Sequence, residues 1–190
     1  MESFVELGTA GGVHGGKIDG LPVNHLVQDF DKGSTVMTEK QYIDRETETK
    51  YDTAVQLVNS FIERFSAVVS KATGSDVAFG LLDADGFTSV KRGSATVGIN
   101  VVEQSDVLIF IARMMKVPSD NTEACFRKIL ELNFTATSDA AFAIEKATDT
   151  ICLRAQRTIS GLDYDEFEEM LHTIATVADE WDDRLIEEFS

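Results

Sequence analysis

The order of hydrophobic and polar positions divides the chain near residue 50. From residue 53, Ala54, Leu57, Val58, Phe61, Phe65, Val68, Val69 and Ala72 keep three-and-four spacing until Gly74, which predicts an amphipathic helix with a glycine stop. Three β-rich runs follow at residues 87–91, 95–102 and 107–117, where Thr96, Ile99, Val101, Ile109 and Ile111 suit a pleated surface. The polar stretch Glu103-Gln104-Ser105-Asp106 is short enough for a hairpin loop. Pro118 ends the third run, and Ser119 or Asp120 is expected to cap a helix reaching about Asn133, with Glu123 completing a capping box and Cys125, Ile129 and Leu130 on the inner side. Two further strands, residues 141–145 and 150–158, are joined by Lys146-Ala147-Thr148-Asp149, a linker suited to a tight turn. The last helix is expected to start at Asp163, with Glu166 reaching back. Its stripe runs through Phe167, Met170, Leu171, Ile174, Val177, Ala178, Trp181 and Leu185. The order is helix, three strands, helix, two strands, helix. It predicts an α+β fold in which helices cover an antiparallel sheet of about five strands.

Residues 1–50 read differently. Seven of the thirteen glycines fall there and no periodicity is sustained, so the expectation is a glycine-rich N-terminal arm, flexible or docked, ahead of an α+β domain at 51–190. Short strands are expected within the arm at 4–7 and 21–27.

Charge narrows the range of functions. The 190 residues carry 17 Lys and Arg against 33 Asp and Glu, a formal charge of −16. Such a field repels polyanions, which argues against nucleic acid and anionic lipid as partners. Eleven carboxylates stand against Arg184 alone in residues 163–190, so ten of the sixteen net negative charges sit on the last helix. The longest apolar run, residues 107–112, is far short of the ~20 residues of a membrane-spanning helix. The chain begins without the basic start and apolar run of a secretory signal, and the expected location is cytoplasmic. Cys125 and Cys152 each stand alone in sequence, which suggests buried reduced thiols.

Each candidate for chemistry fails on a named point. Gly11-Gly12-Val13-His14-Gly15-Gly16-Lys17 approaches a phosphate-binding loop, but Ile18 replaces the magnesium-binding hydroxyl and no helix start follows. Asp83-Ala84-Asp85-Gly86 opens like a calcium loop, yet its glycine comes two positions early and Ser94 stands where a bidentate Glu belongs, so a turn is expected. His14, His25 and His172 have no neighbouring nucleophile in sequence, and His172 is expected beside the apolar stripe of the last helix. The carboxylates of that helix are read as a solvated face. Phe61, Phe65, Phe126 and Phe167 are read as inward-facing core residues.

Arg92-Gly93-Ser94-Ala95 at a strand start, Ile129-Leu130-Glu131-Leu132-Asn133 closing the middle helix, and Arg157 followed by Gly161-Leu162-Asp163 together resemble the YbjN domain over residues 53–190. That family is similar in fold to the chaperones of type III secretion systems, with the order α-β-β-β-α-β-β-α. The resemblance implies no catalytic, metal or cofactor residues. It implies a chaperone-like or regulatory homodimer that holds an extended polypeptide, with Arg92, Gly93, Ser94, Asn133 and Arg157 in structural roles. The alternative is a small-molecule sensor or enzyme whose pocket forms between the sheet and the N-terminal arm. If the arm docks, residues 21–27 or 4–7 are expected where a foreign polypeptide would otherwise lie.

Overall fold

The computed structural model describes residues 41–190. The expected strands at 4–7 and 21–27, the glycine-rich loop around His14, and His25 lie outside the described residues.

A small antiparallel hairpin, β1 (Tyr42–Ile43) with β2 (Lys50–Tyr51), comes first. Strands of two residues carry no alternation, so the sequence pattern does not predict them. The Asp44 carboxylate folds the turn by accepting from the amides of Glu46 at 2.9 Å and Thr47 at 3.3 Å. Tyr42 is buried in the core. Burial foremost, then the charges of Asp106 and Glu103, push its phenol above its ordinary pKa, which places it beside the β-turn that carries Asp106.

Helix α1 (Ala54–Thr73) begins where the Thr53 hydroxyl accepts from the Gln56 amide at 3.2 Å. It ends at Gly74, whose φ of 69° lets its N–H reach the Ser70 carbonyl at 2.9 Å. Ile62 joins the buried stripe, whereas Val68 is exposed. The Asp83–Gly86 segment is the expected turn. One Asp83 carboxylate oxygen accepts from the amides of Asp85 and Phe87, both at 2.9 Å, and so launches β3 (Phe87–Arg92).

β3 pairs with β4 (Ala95–Val102), and β4 with β5 (Val107–Lys116) through a single 3₁₀ turn. β6 (Ala141–Glu145) and β7 (Thr150–Thr158) form the second hairpin, and β7 inserts beside β5. The sheet is fully antiparallel in the order β3-β4-β5-β7-β6.

Helix α2 (Thr122–Thr135) corrects two expectations. Its N-cap is neither Ser119 nor Asp120 but Asn121, at φ 57° with no side-chain cap bond; the Thr122 hydroxyl instead donates to the Pro118 carbonyl at 2.7 Å. Its inner stripe is Cys125, Ile129 and Leu132, at i, i+4 and i+7. Leu130 is one position, or about 100°, out of phase with that stripe, and it points to solvent at 66% exposure.

Helix α3 (Tyr164–Phe189) starts with the expected capping box, Asp163 accepting from the Glu166 amide at 2.9 Å while Glu166 accepts from the Asp163 amide. Its buried stripe lies on one face of the sheet together with α1. Phe167 is the hinge of this core, with ring centroids 5.6 Å from both Phe61 of α1 and Phe110 of β5. Each such buried phenylalanine contributes roughly 1.5–3 kcal/mol. By register, the face that meets the helices carries Val90, Val97, Ile99, Val101, Leu108, Phe110, Ala112, Leu153 and Ala155. No described helix is long and apolar enough to cross a membrane.

Candidate functional site

The motif residues of the sequence fall at three separate joints. At the first, the β3–β4 turn leans on α3. Arg92 donates from Nη1 to the Thr176 hydroxyl at 2.7 Å, with His172 Nδ1 at 3.3 Å. Gly93 takes φ 53°, and a Cβ there would collide with the Asp179 carboxylate. The Ser94 amide donates to that same carboxylate at 3.1 Å, and its hydroxyl donates to Asp182 at 2.9 Å. The acidic side of α3 is therefore not solvated throughout, contrary to expectation. Asp179 and Asp182 receive the turn, and burial foremost raises the Asp182 pKa. His172 lies on the exposed surface next to this turn instead of among the apolar residues, and burial, then the Arg92 charge, lower its pKa.

At the second joint Asn133 substitutes for a missing strand. Its Oδ1 accepts from the Phe142 amide at 2.6 Å and its Nδ2 donates to the Phe142 carbonyl at 3.3 Å, which satisfies the outward backbone of edge strand β6. At the third joint the Arg157 guanidinium lies 3.8 Å from Asp139 and 3.9 Å from Glu166, both through exposed side chains. These joints are far apart in the topology, and they do not converge on a common site. Among the described residues no group of three or more His, Cys, Asp or Glu is arranged to hold a metal ion.

Two surfaces stand out for recognition. The first is the sheet face turned away from the helices. Pairing register places Phe87 of β3, Gly98, Asn100 and Val102 of β4, Val107, Ile109 and Ile111 of β5, and Cys152 of β7 on it. Ile109 is 0%, Ile111 3%, Cys152 2% and Val102 7% exposed, yet none of the four belongs to the core cluster formed with the three helices. Phe87 lies over Gly98 toward Ile111, and no described helix packs on this face. The border is basic, with Lys91, Arg113, Lys116 and Arg154 against Glu145. Arg113 is engaged bidentately by Glu145 at 2.7 and 2.9 Å, an ion pair that foremost lowers the Glu145 pKa. Arg154 is buried at Nε, which has no hydrogen-bond partner among the described residues. Burial, before any charge, pushes the Cys152 thiol up to about 11.

The sequence carried a signal for this face that the strand assignment alone does not use. A strand covered on one side alternates; residues 107–112 are apolar without interruption, the mark of a strand buried on both sides.

The second surface is the outer side of α2. Phe126 is only half-buried, against the expected inward position, and with Leu130 and Phe134, 93% exposed, it forms a stripe at i, i+4 and i+8. Beside it runs a charged row of the same spacing, Glu123, Arg127 and Glu131.

This architecture has counterparts. The structure of the ExsC–ExsE complex matches with a TM-score of 0.52 and 21% identity over 69% of this chain and 95% of that one. The heterodimeric ExoU–SpcU complex from the type III secretion system of Pseudomonas aeruginosa matches with a TM-score of 0.50 and 14% identity, over 70% of this chain and 98% of that one. At these identities the likeness is one of fold. No curated protein sequence matches the chain. The model of the Tir chaperone protein (CesT) family matches residues 78–182, more than half the chain and the whole span from β3 into α3, and the chain belongs to that family.

Proposed function

We propose that the protein is a non-enzymatic, cytoplasmic chaperone or regulator that holds an extended segment of a polypeptide partner against the outer face of its sheet. The observation that carries this reading is the strip of Phe87, Val102, Ile109 and Ile111, on the face free of described helices, in a member of a chaperone family. An extended chain presents a side chain to such a strip at every second residue, and its own amides and carbonyls remain available for polar contacts at the border. The partner then needs apolar anchors at alternating positions, acidic side chains beside Lys91 and Arg154, and basic flanks where it meets the acidic remainder of the molecule. The two similar structures are complexes of ExsC with ExsE and of ExoU with SpcU, which supports a polypeptide as the ligand.

The assembly that fits this role is a homodimer built on α2. Phe126, Leu130 and Phe134 of one copy meet the same stripe of the other around a two-fold axis. Arg127 then faces Glu123 or Glu131 of the second copy, a charge row that is complementary to itself when antiparallel. The finer kinship within this fold is with the YbjN domain, supported by Arg92, Gly93, Ser94, Asn133 and Arg157, each of which ties a turn, a helix end or a strand to its neighbour.

Capture from the native cell, followed by titration of the purified candidate, tests the reading. A saturable polypeptide partner is expected. Turnover of a metabolite with no saturable polypeptide would replace this reading with an enzymatic one.

A further inference from the structure

The end of β5 opens a trough on the helix side of the sheet, opposite the outer face. Pairing of β5 with β7 passes from Arg113 beside Cys152 to Met115 beside Ile151, so Met114 is a bulged residue with no counterpart on β7. The bulge breaks the alternation of β5 and turns both Met114 and Met115 toward the helices. Pro118 then ends the strand, and residues 117–121 lead to the start of α2 with the last turn of α3 across from them. The space between is about 530 Å³, the size of a binding cleft. Its walls are apolar, formed by Met114, Val117, Pro118, Ile186 and Phe189. Met115 closes the bottom at 8% exposure, whereas Ile186 is left 42% exposed. Bulges re-aim side chains beside functional sites, and methionine adapts its shape to what it meets.

The rim is acidic. Asp120 and Glu188 line it, and residues 179–189 of α3 hold six carboxylates against Arg184, which Glu180 already engages at 3.0 Å. Lys116, also in the lining, donates to the Thr148 carbonyl at 2.8 Å and the Thr150 hydroxyl at 3.1 Å, and Lys128 comes no closer than 3.9 Å to Glu188. We propose that this trough is a second docking site for the polypeptide partner, taking one bulky apolar side chain flanked by lysines or arginines. The anchor enters between Met114 and Ile186, and the flanking cations meet Asp120 on one side and Glu188 on the other. That the ligand is a polypeptide rests on the proposed function; its apolar and basic character follows from the trough. Arg113 at the border of the outer face and Met114 in the trough are consecutive, so one chain passing the end of β5 reaches both sites.

Methionine-methyl NMR of the full chain tests this with defined peptides. Met114 and Met115 report on the trough, and Met170, about 24 Å along α3 from Ile186, serves as the internal control. The probe is a blocked pentapeptide of phenylalanine between two pairs of lysines; one control has glycine for the phenylalanine and the other has glutamates for the lysines. The phenylalanine peptide should shift the Met114 and Met115 methyls saturably and leave Met170 in place. The glycine peptide should bind about tenfold more weakly, and the glutamate peptide should not bind. Ile186→Asp should weaken the phenylalanine peptide about tenfold or more while circular dichroism shows the helices intact, and Asp120→Lys should weaken it with the apolar walls untouched. No saturable shift at Met114 and Met115, equal affinity for the phenylalanine and glycine peptides, or unchanged affinity in either variant would overturn the inference. A partner captured from the cell that protects the outer face would uphold the proposed function whichever way the peptide titrations fall.

Discussion

Gly93 shows how a single residue fixes the β3–β4 turn against α3. Both Gly93 and Gly74 adopt left-handed backbone, at φ 53° and 69°, which costs an L-residue about 1–2 kcal/mol. They differ in surroundings: a Cβ on Gly74 meets nothing, whereas one on Gly93 strikes the Asp179 carboxylate that receives the Ser94 amide. Gly93→Ala should therefore destabilise more than Gly74→Ala, by about a further 1 kcal/mol for the displaced hydrogen bond, read by chemical denaturation of both variants. The Glu145–Arg113 pair gives a pH dependence at the same scale. Its carboxyl is held below the ordinary value of 4.5, so its contribution is fully present above that pH and is lost as pH falls through the lower folded value. Glu145→Gln should cost about 1 kcal/mol at pH 7, and the difference from the parent should close progressively below pH 4.5 in a series of denaturation curves.

Helix α2 carries two stripes with separate roles at the scale of elements. Ile129→Ala should cost about 2–4 kcal/mol, since it leaves a cavity beneath the helix. If the proposed dimer is built on α2, Leu130→Glu with Phe134→Glu should convert it to a monomer in light scattering while the single chain keeps its helical content in circular dichroism, because both side chains are exposed in the single chain. The contrast also explains what was legible in the sequence. Strand bounds, the glycine stop of α1 and the capping box of α3 follow from local chemistry, Gly74 in the one and Asp163 with Glu166 in the other, and these emerge from spacing alone, whereas the Thr53 cap of α1 was found only in the structure. The phase of α2 does not, because Phe126, Leu130 and Phe134 are as apolar as Cys125, Ile129 and Leu132, and periodicity cannot tell a core stripe from one awaiting a partner. The start of α2 escaped for a related reason: Asn121 enters the helix in left-handed backbone with no side-chain cap, leaving no capping pattern to read. The β1–β2 hairpin is too short to alternate. Asn133 and Arg92 stand in motifs of the sequence, but their partners, Phe142 and Thr176, are fixed by the tertiary fold.

For the whole molecule, charge and topology divide the surface into an acidic helical side and a basic-bordered sheet face. The outer face was only half legible. The uninterrupted apolar run of β5 marks burial on two sides, but identifying Gly98, Asn100, Arg154 and Cys152 as its companions requires the pairing of β4, β5 and β7. If this face is the binding surface, salt should weaken the contacts of Lys91 and Arg154 with acidic partner positions while leaving the apolar strip intact. Affinity should then fall only modestly between low and physiological ionic strength, as measured by calorimetric titration. The most direct test of the central claim is hydrogen exchange of the protein with and without a saturating, purified partner segment. Slowed exchange is expected at the border of the outer face, above all along β3, the edge strand among the described residues, around Ser89 and Lys91, and near Arg154, with α2 unchanged. Protection confined to α2 or α3, with β3, β4, β5 and β7 unaffected, would contradict it.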